Sequence, residues 1–340
     1  MVTESAAISS PVRARRVTPF TGVVVALLVI AVVAPFALSG FRVLQLTHIV
    51  IYAVAVLGLN LLTGFSGQIS LGNGAFWALG SYTGVILLTY CGVPYWATPV
   101  ASGAVCFILG YLFGRVATRL EGLYLALGTF ALAIATPQIL KLDAFEKWTG
   151  GSQGVVMSKP RSPIAALDDD QWLYLFCLLV AIILFTVAWN IVRGRTGRAL
   201  SALRDHPIAA GTMGIDTVAY KSITFGVSAM YTGIAGGLSA IVTGFISPDS
   251  FPIFLSIQLL VGGVLGGIAS IFGTLFGAAF IELVPDLAKS LSDSAPAVLY
   301  GVLLIVCMKV MPGGVAGLAY RTRSWLIHRS SHRSSHRIRT

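Results

Sequence analysis

Apolar runs of about twenty residues recur along this chain from residue 20 to residue 310, separated by short polar or glycine-rich breaks. A membrane span needs roughly 20 mostly apolar residues. The breaks set predicted spans at 20–40, 43–63, 74–92, 96–114, 123–141, 171–192, 222–245, 253–270, 271–288 and 296–310. The pattern predicts an all-α polytopic membrane protein of about ten transmembrane helices, with both termini cytoplasmic. Glycine-rich junctions at 63–75 and 262–277 leave open whether either stretch is re-entrant. Residues 1–19 read as a cytoplasmic N-terminal segment, 20–312 as the transmembrane domain, and 313–340 as a basic, disordered cytoplasmic tail.

Composition agrees with the pattern. Only 11% of the 340 residues are charged and 56% are apolar, whereas a soluble domain carries roughly 25% charged residues. The 37 glycines suit a bundle whose helices approach closely through small residues. The net charge of +10 could suggest nucleic acid, but topology accounts for it better. Predicted cytoplasmic segments hold Arg13, Arg15, Arg16, Arg115, Arg119, Arg193, Arg195, Arg198, Arg204 and Lys221, and a further group from Lys309 to Arg339. The outer segments hold Arg42, Lys141, Lys147, Lys159, Arg161 and Lys289. This positive-inside bias sets the orientation. Cys91, Cys106, Cys177 and Cys307 are scattered in or beside apolar runs and read as small buried hydrophobes. The apolar run after Arg16 lacks a signal-peptidase site and reads as the first membrane helix.

Two connectors are longer than a turn. The outer loop 142–170 mixes charges with Gly and Pro, which suits a compact surface cap. The second, 194–221, is basic and partly amphipathic. Within it Thr196–Arg204 can form a short helix, which must break at Asp205-His206-Pro207. Pro207 suits the first turn of a second helix, Gly214 supplies its stop, and Asp216 can cap the next span. Two short helices are therefore expected to lie across the cytoplasmic mouth, with Ala209 and Ala210 as the contact face. Resting on lipid is the other reading, but short rigid helices with small residues anchor poorly. In the tail, His328, His332 and His336 have i, i+4 spacing without supporting carboxylates, so contact with anionic headgroups is the simpler reading.

On these residues the chain resembles the permease subunits of branched-chain amino acid ABC importers, of the LivM type. The family's cytoplasmic loop reads G-R-A-L-x-A-x-R-D followed by A-A-x-x-M-G-I. Here Gly197, Arg198, Ala199, Leu200, Ala202, Arg204, Asp205, Ala209, Ala210, Met213, Gly214 and Ile215 follow that pattern. Thr63–Tyr82 is similar to the family's T-G-x-x-G-Q-x-S-L-G-H-A-A-F-x-x-x-G-A-Y, and further matches fall at Gly122–Ala126, Thr149–Gly154, Ser247-Pro248, Gly266-Gly267 and Ala316–Leu318. Asn73 stands where the family usually has His, Pro207 and Gly211 replace acidic residues, and Gly313 replaces Arg.

The resemblance implies that 194–221 is the coupling loop that docks on an ATP-hydrolysing subunit. It also implies a homologous second permease subunit, two cytoplasmic ATP-binding subunits, an extracytoplasmic solute-binding protein and a bacterial inner-membrane setting. Leu, Ile and Val are the implied substrates, and urea or short amides are the alternative. The chain contains no G-x-x-x-x-G-K-[ST] and no HExxH. It is therefore expected to hold no cofactor and to catalyse nothing, with ATP and Mg2+ bound by the partner ATPase.

Polar residues inside the spans are the candidates for the pathway. Asn60, Gln68, Ser70 and Asn73 cluster with Gly64, Gly67 and Gly72, and this stretch either lines the route or packs helices through its glycines. Tyr124 and Thr129 are further candidates. Glu282 is the only acid well inside a predicted span, and it either couples protons or simply reaches water or bonds a Ser or Tyr. A stand-alone secondary transporter would need several such groups near the midplane, and a membrane enzyme would need converging catalytic side chains.

Overall fold

The computed structural model describes residues 19–120, 122–164 and 167–291, together with positions 301, 302, 305, 309 and 314. The expected cytoplasmic segment, the basic tail and most of the span at 296–310 lie outside the described residues. Helices occupy the other predicted spans: α1 (Pro19–Ala37), α2 (Gly40–Asn60), α3 (Asn73–Tyr90), α4 (Thr98–Ala117) and α5 (Leu123–Leu140). A short α6 (Asp143–Thr149) and β1 (Val155–Val156) follow, then α7 (Asp169–Arg193). Two short helices, α8 (Arg195–Asp205) and α9 (Pro207–Thr212), lead into α10 (Thr217–Thr243), β2 (Phe245–Ile246), α11 (Ile253–Gly266) and α12 (Gly273–Leu291). Six segments among the described residues are long and apolar enough to cross a membrane. They are Gly40–Phe65, Thr98–Ala117, Leu123–Leu140, Asp169–Arg193, Thr217–Thr243 and Pro248–Gly266.

The core is organised around α10, whose most apolar window is 83% buried. It packs against α2, α3 and α4 through small residues. A Cβ added to Gly80 would strike the Gly233 carbonyl, and one added to Gly236 would strike the Trp77 carbonyl. Ser81 Oγ donates to Gly236 O at 2.9 Å, and Ser102 Oγ donates to Gly80 O at 2.8 Å. With no water in the hydrocarbon to drive apolar association, close packing and interhelical hydrogen bonds hold such a bundle together. Tyr231 is fully buried and donates to Leu184 O of α7 at 2.8 Å, tying α7 to the same centre.

α11 and α12 form a hairpin. Gly262 and Gly277 meet backbone to backbone, as do Gly266 and Gly273. With 14 residues, α11 rises only about 21 Å, short of the roughly 30 Å of hydrocarbon. Its turn, residues 267–272, meets α2 at the level of Asn60.

The expected outer cap is built from α6, a 3₁₀ turn (Gly151–Gln153) and β1, which pairs antiparallel with β2 at the end of α10. Gly150 and Gly154 adopt positive φ, and a Cβ on Gly154 would strike the Ile246 carbonyl, so the crossing needs glycine there. Lys141 reaches Asp249 at 2.6 Å across the same surface. The opposite end of the bundle carries α8 and α9.

Candidate functional site: a glycine-rich break beneath two surface helices

α2 does not end cleanly. It widens into a π-helical turn at Leu61–Phe65 before the chain crosses residues 66–72 to α3. Such turns are rare, and they free backbone groups from the regular pattern. Four other elements hold the break in place. From α5, Thr129 Oγ1 accepts from Leu71 N at 2.9 Å, and from α11, Ser256 Oγ accepts from Gly74 N at 2.9 Å. Gln68 Nε2 donates to Ser66 Oγ at 2.7 Å and to Lys221 O at 3.3 Å, near the start of α10. From α8, Arg204 Nη1 donates to Gly64 O at 2.9 Å.

Asn60 closes the assembly on its other side. Its Nδ2 donates to Gly267 O at 3.3 Å and Ser270 O at 2.9 Å, and its Oδ1 accepts from Ala269 N at 2.9 Å. The second glycine-rich run is thus clamped to the first. Thr63 Oγ1 is buried without a partner beside a cavity of about 10 Å³, room for a single water, lined by Asn60, Thr63, Gly263 and Ile268 among others.

The structure brings most of the expected pathway residues together. Arg204 contacts both Gly64 and Gly67, Asn60 lies against Gly64, and Gly72 lies against Thr129. Ser70 Oγ and Asn73 Oδ1 are 3.4 Å apart, and Asn73 Nδ2 donates to Thr232 Oγ1 at 3.0 Å and Ser228 Oγ at 3.3 Å. These polar groups are buried and bonded within the chain. Two candidates lie elsewhere. Tyr124 is 72% exposed on the first turn of α5. Glu282 on α12 sits 3.3 Å from His48 Nδ1, and one turn on Gln45 Nε2 donates to Asp286 Oδ2 at 2.6 Å. His48 and Asn60 lie twelve residues apart on one helix, so Glu282 is about 18 Å along the axis from the break.

The surface helices lie where the sequence puts them. Gly197, Ala199, Leu200 and Leu203 bury one face of α8, leaving Arg198 exposed. Asp205 is the last residue of α8, the backbone breaks at His206, and Pro207 opens α9. Gly214 has φ +82°, and Asp216 caps α10 by accepting from Ala219 N at 3.0 Å. Of the pair expected to form the contact face, Ala209 is exposed but Ala210 is buried. The large exposed apolar groups are Ile208, 85% exposed, and Met213, 86% exposed. Sequence reasoning passed over Ile208, and also Ser228, Thr232 and Ser256. The i, i+4 spacing of Ser228 and Thr232 on α10 was the available signal.

Comparison with known proteins adds a family. The sequence model described as "Branched-chain amino acid transport system / permease component" matches residues 42–311. The chain is 32% identical to the high-affinity branched-chain amino acid transport system permease protein LivM of Salmonella typhimurium, over 85% of this chain and 73% of that protein. LivM of Escherichia coli is likewise 32% identical, over 86% of this chain and 73% of its own length. The permease protein LivH of Escherichia coli is 26% identical, over 78% of this chain and 91% of its own length. With its buried small-residue core and its long apolar helices, the chain is a multi-pass membrane protein and a member of the branched-chain amino acid transport system permease family.

Proposed function

We propose that this chain is one of two homologous permease subunits in an ATP-driven importer of leucine, isoleucine and valine in the bacterial inner membrane. A solute-binding protein delivers the amino acid to the end bearing α6, β1 and β2. Two ATPase subunits bind ATP and Mg2+ and act on the end bearing α8 and α9. About ten spans with both termini cytoplasmic, oriented by the basic residues around α8, complete the arrangement. The names of the relatives support the substrate class, and the pairing of LivM with LivH names supports a two-permease assembly.

The observation that carries the coupling role is the presentation of Ile208 and Met213. Both are almost fully exposed, Ile208 on the six-residue α9 and Met213 at its C-terminal cap, while Ala210 of the same helix is buried. Burying each in a partner's groove contributes about 2 kcal/mol. No carboxylate stands at Pro207 or Gly211, so docking relies on shape more than on charge. Replacing both Ile208 and Met213 with Ser leaves the fold intact and abolishes co-purification of the ATPases and ATP-dependent leucine uptake into vesicles. Uptake at the wild-type rate in that variant sinks the coupling assignment.

A further inference from the structure

Within α8, Arg204 has a side chain 37% exposed, yet its guanidinium reaches across to the glycine-rich break. Its Nη1 donates to Gly64 O at 2.9 Å, and its Nε donates to the adjacent Asp205 Oδ1 at 3.0 Å. The side-chain stem crosses Gly67, where a Cβ would stand 2.9 Å from Arg204 Cγ, and Gly67 itself has φ +73°. Only glycine combines that backbone with room for the stem. The planar guanidinium, with one edge held by Asp205, is fixed in direction before it meets the Gly64 carbonyl.

Gly64 is clamped from its other side. A Cβ there would strike both Asn60 Oδ1 and the Ala269 backbone nitrogen. Asn60 in turn holds Gly267, Ala269 and Ser270 in the α11–α12 turn. A continuous path therefore runs from α9 through His206 to α8, along the Arg204 side chain to the π-helical turn of α2, and through Asn60 to the α11–α12 hairpin. Gln68 adds a branch from the same break to Lys221 O near the start of α10.

We propose that Arg204 is the positioning residue that ties the docking helices to both glycine-rich turns, so that displacement of α9 is delivered to the Gly64–Asn60–Ala269 chain. The inference rests on the reading of α8 and α9 as the ATPase-docking element. It assigns Arg204 an inward role in place of direct contact with the ATPase.

The test uses the complete importer in proteoliposomes, with leucine as the probe, and reads leucine transported per ATP hydrolysed alongside ATPase co-purification. Arg204→Met keeps the stem over Gly67 and removes both donors. It is expected to assemble normally and to hydrolyse ATP at the basal rate, while leucine per ATP falls about tenfold, within the range of site-to-site couplings. Arg204→Lys, which restores one donor, should recover part of that loss. Gly67→Ala, which places a methyl in the path of the stem, should reproduce it without touching Arg204. A leucine-to-ATP ratio equal to wild type in Arg204→Met or in Gly67→Ala overturns the proposal. Loss of ATPase co-purification in Arg204→Met also overturns it, because Arg204 would then be a docking contact. Failure of the wild-type complex to take up leucine would count against the transport reading itself, not against the role of Arg204.

Discussion

Asn60→Ala tests whether one side chain holds the two glycine-rich runs together. The substitution removes three hydrogen bonds to the α11–α12 turn: Nδ2 to Gly267 O at 3.3 Å, Nδ2 to Ser270 O at 2.9 Å, and Ala269 N to Oδ1 at 2.9 Å. Interhelical hydrogen bonds in membrane proteins average about 0.6 kcal/mol, so three contribute about 2 kcal/mol. Buried bonds at about 1 kcal/mol each would raise the total to about 3 kcal/mol. The long bond to Gly267 favours the lower figure. About 2 kcal/mol corresponds to about a 30-fold change in the unfolding equilibrium. Reversible unfolding in mixed micelles measures the loss, and amide exchange over 267–272 localises it, since the Ala269 N–H loses its acceptor. Asn60→Asp keeps that acceptor but turns a carboxylate toward two carbonyls, and is expected to be no more stable than Asn60→Ala. Stability within about 0.5 kcal/mol of wild type, the scatter of neutral surface substitutions, together with unchanged exchange at 267–272, would refute the argument.

Two further substitutions separate packing from chemistry. Gly80→Leu drives a side chain into the Gly233 backbone on α10, and overpacking of this kind costs about 3 kcal/mol. The variant should fail to accumulate in the membrane as a detergent-stable protein, and normal accumulation would contradict the close α3–α10 approach. Glu282→Gln can still bond His48, so leucine uptake should persist with a stability loss of about 0.6 kcal/mol. Abolished uptake in a stable Glu282→Gln protein would assign Glu282 to transport.

The helices were legible because twenty apolar residues in lipid have few options other than a helix. The loop at 194–221 was legible from its punctuation, with Pro207 at the first turn, Gly214 at the stop and Asp216 at the cap. Which face of α9 points outward was not. Six residues make fewer than two turns, so no periodicity distinguishes Ala210, which is buried, from Ile208, which is exposed. The partners of the polar residues were also hidden. Asn60 meets residues about 210 positions away, and Asn73 meets Ser228 and Thr232 about 155 positions away. Arg204 reads in sequence as a basic residue of the coupling-loop pattern, and only the fold shows its guanidinium on the Gly64 carbonyl.

The central place of α10 has a consequence for biosynthesis. Its partners on α2, α3 and α4 are made more than a hundred residues earlier. Until Thr217–Thr243 leaves the ribosome, the grooves at Gly58, Gly80, Gly110 and Gly114 have no helix to receive, Asn73 Nδ2 lacks Ser228 and Thr232, and Ser81 lacks the Gly236 carbonyl. A chain ending before residue 217 lacks these partners for Asn73 and Ser81. The most buried helix is thus also the one whose synthesis completes the packing of α2, α3 and α4, so the close contacts at the centre form only late in the chain's production.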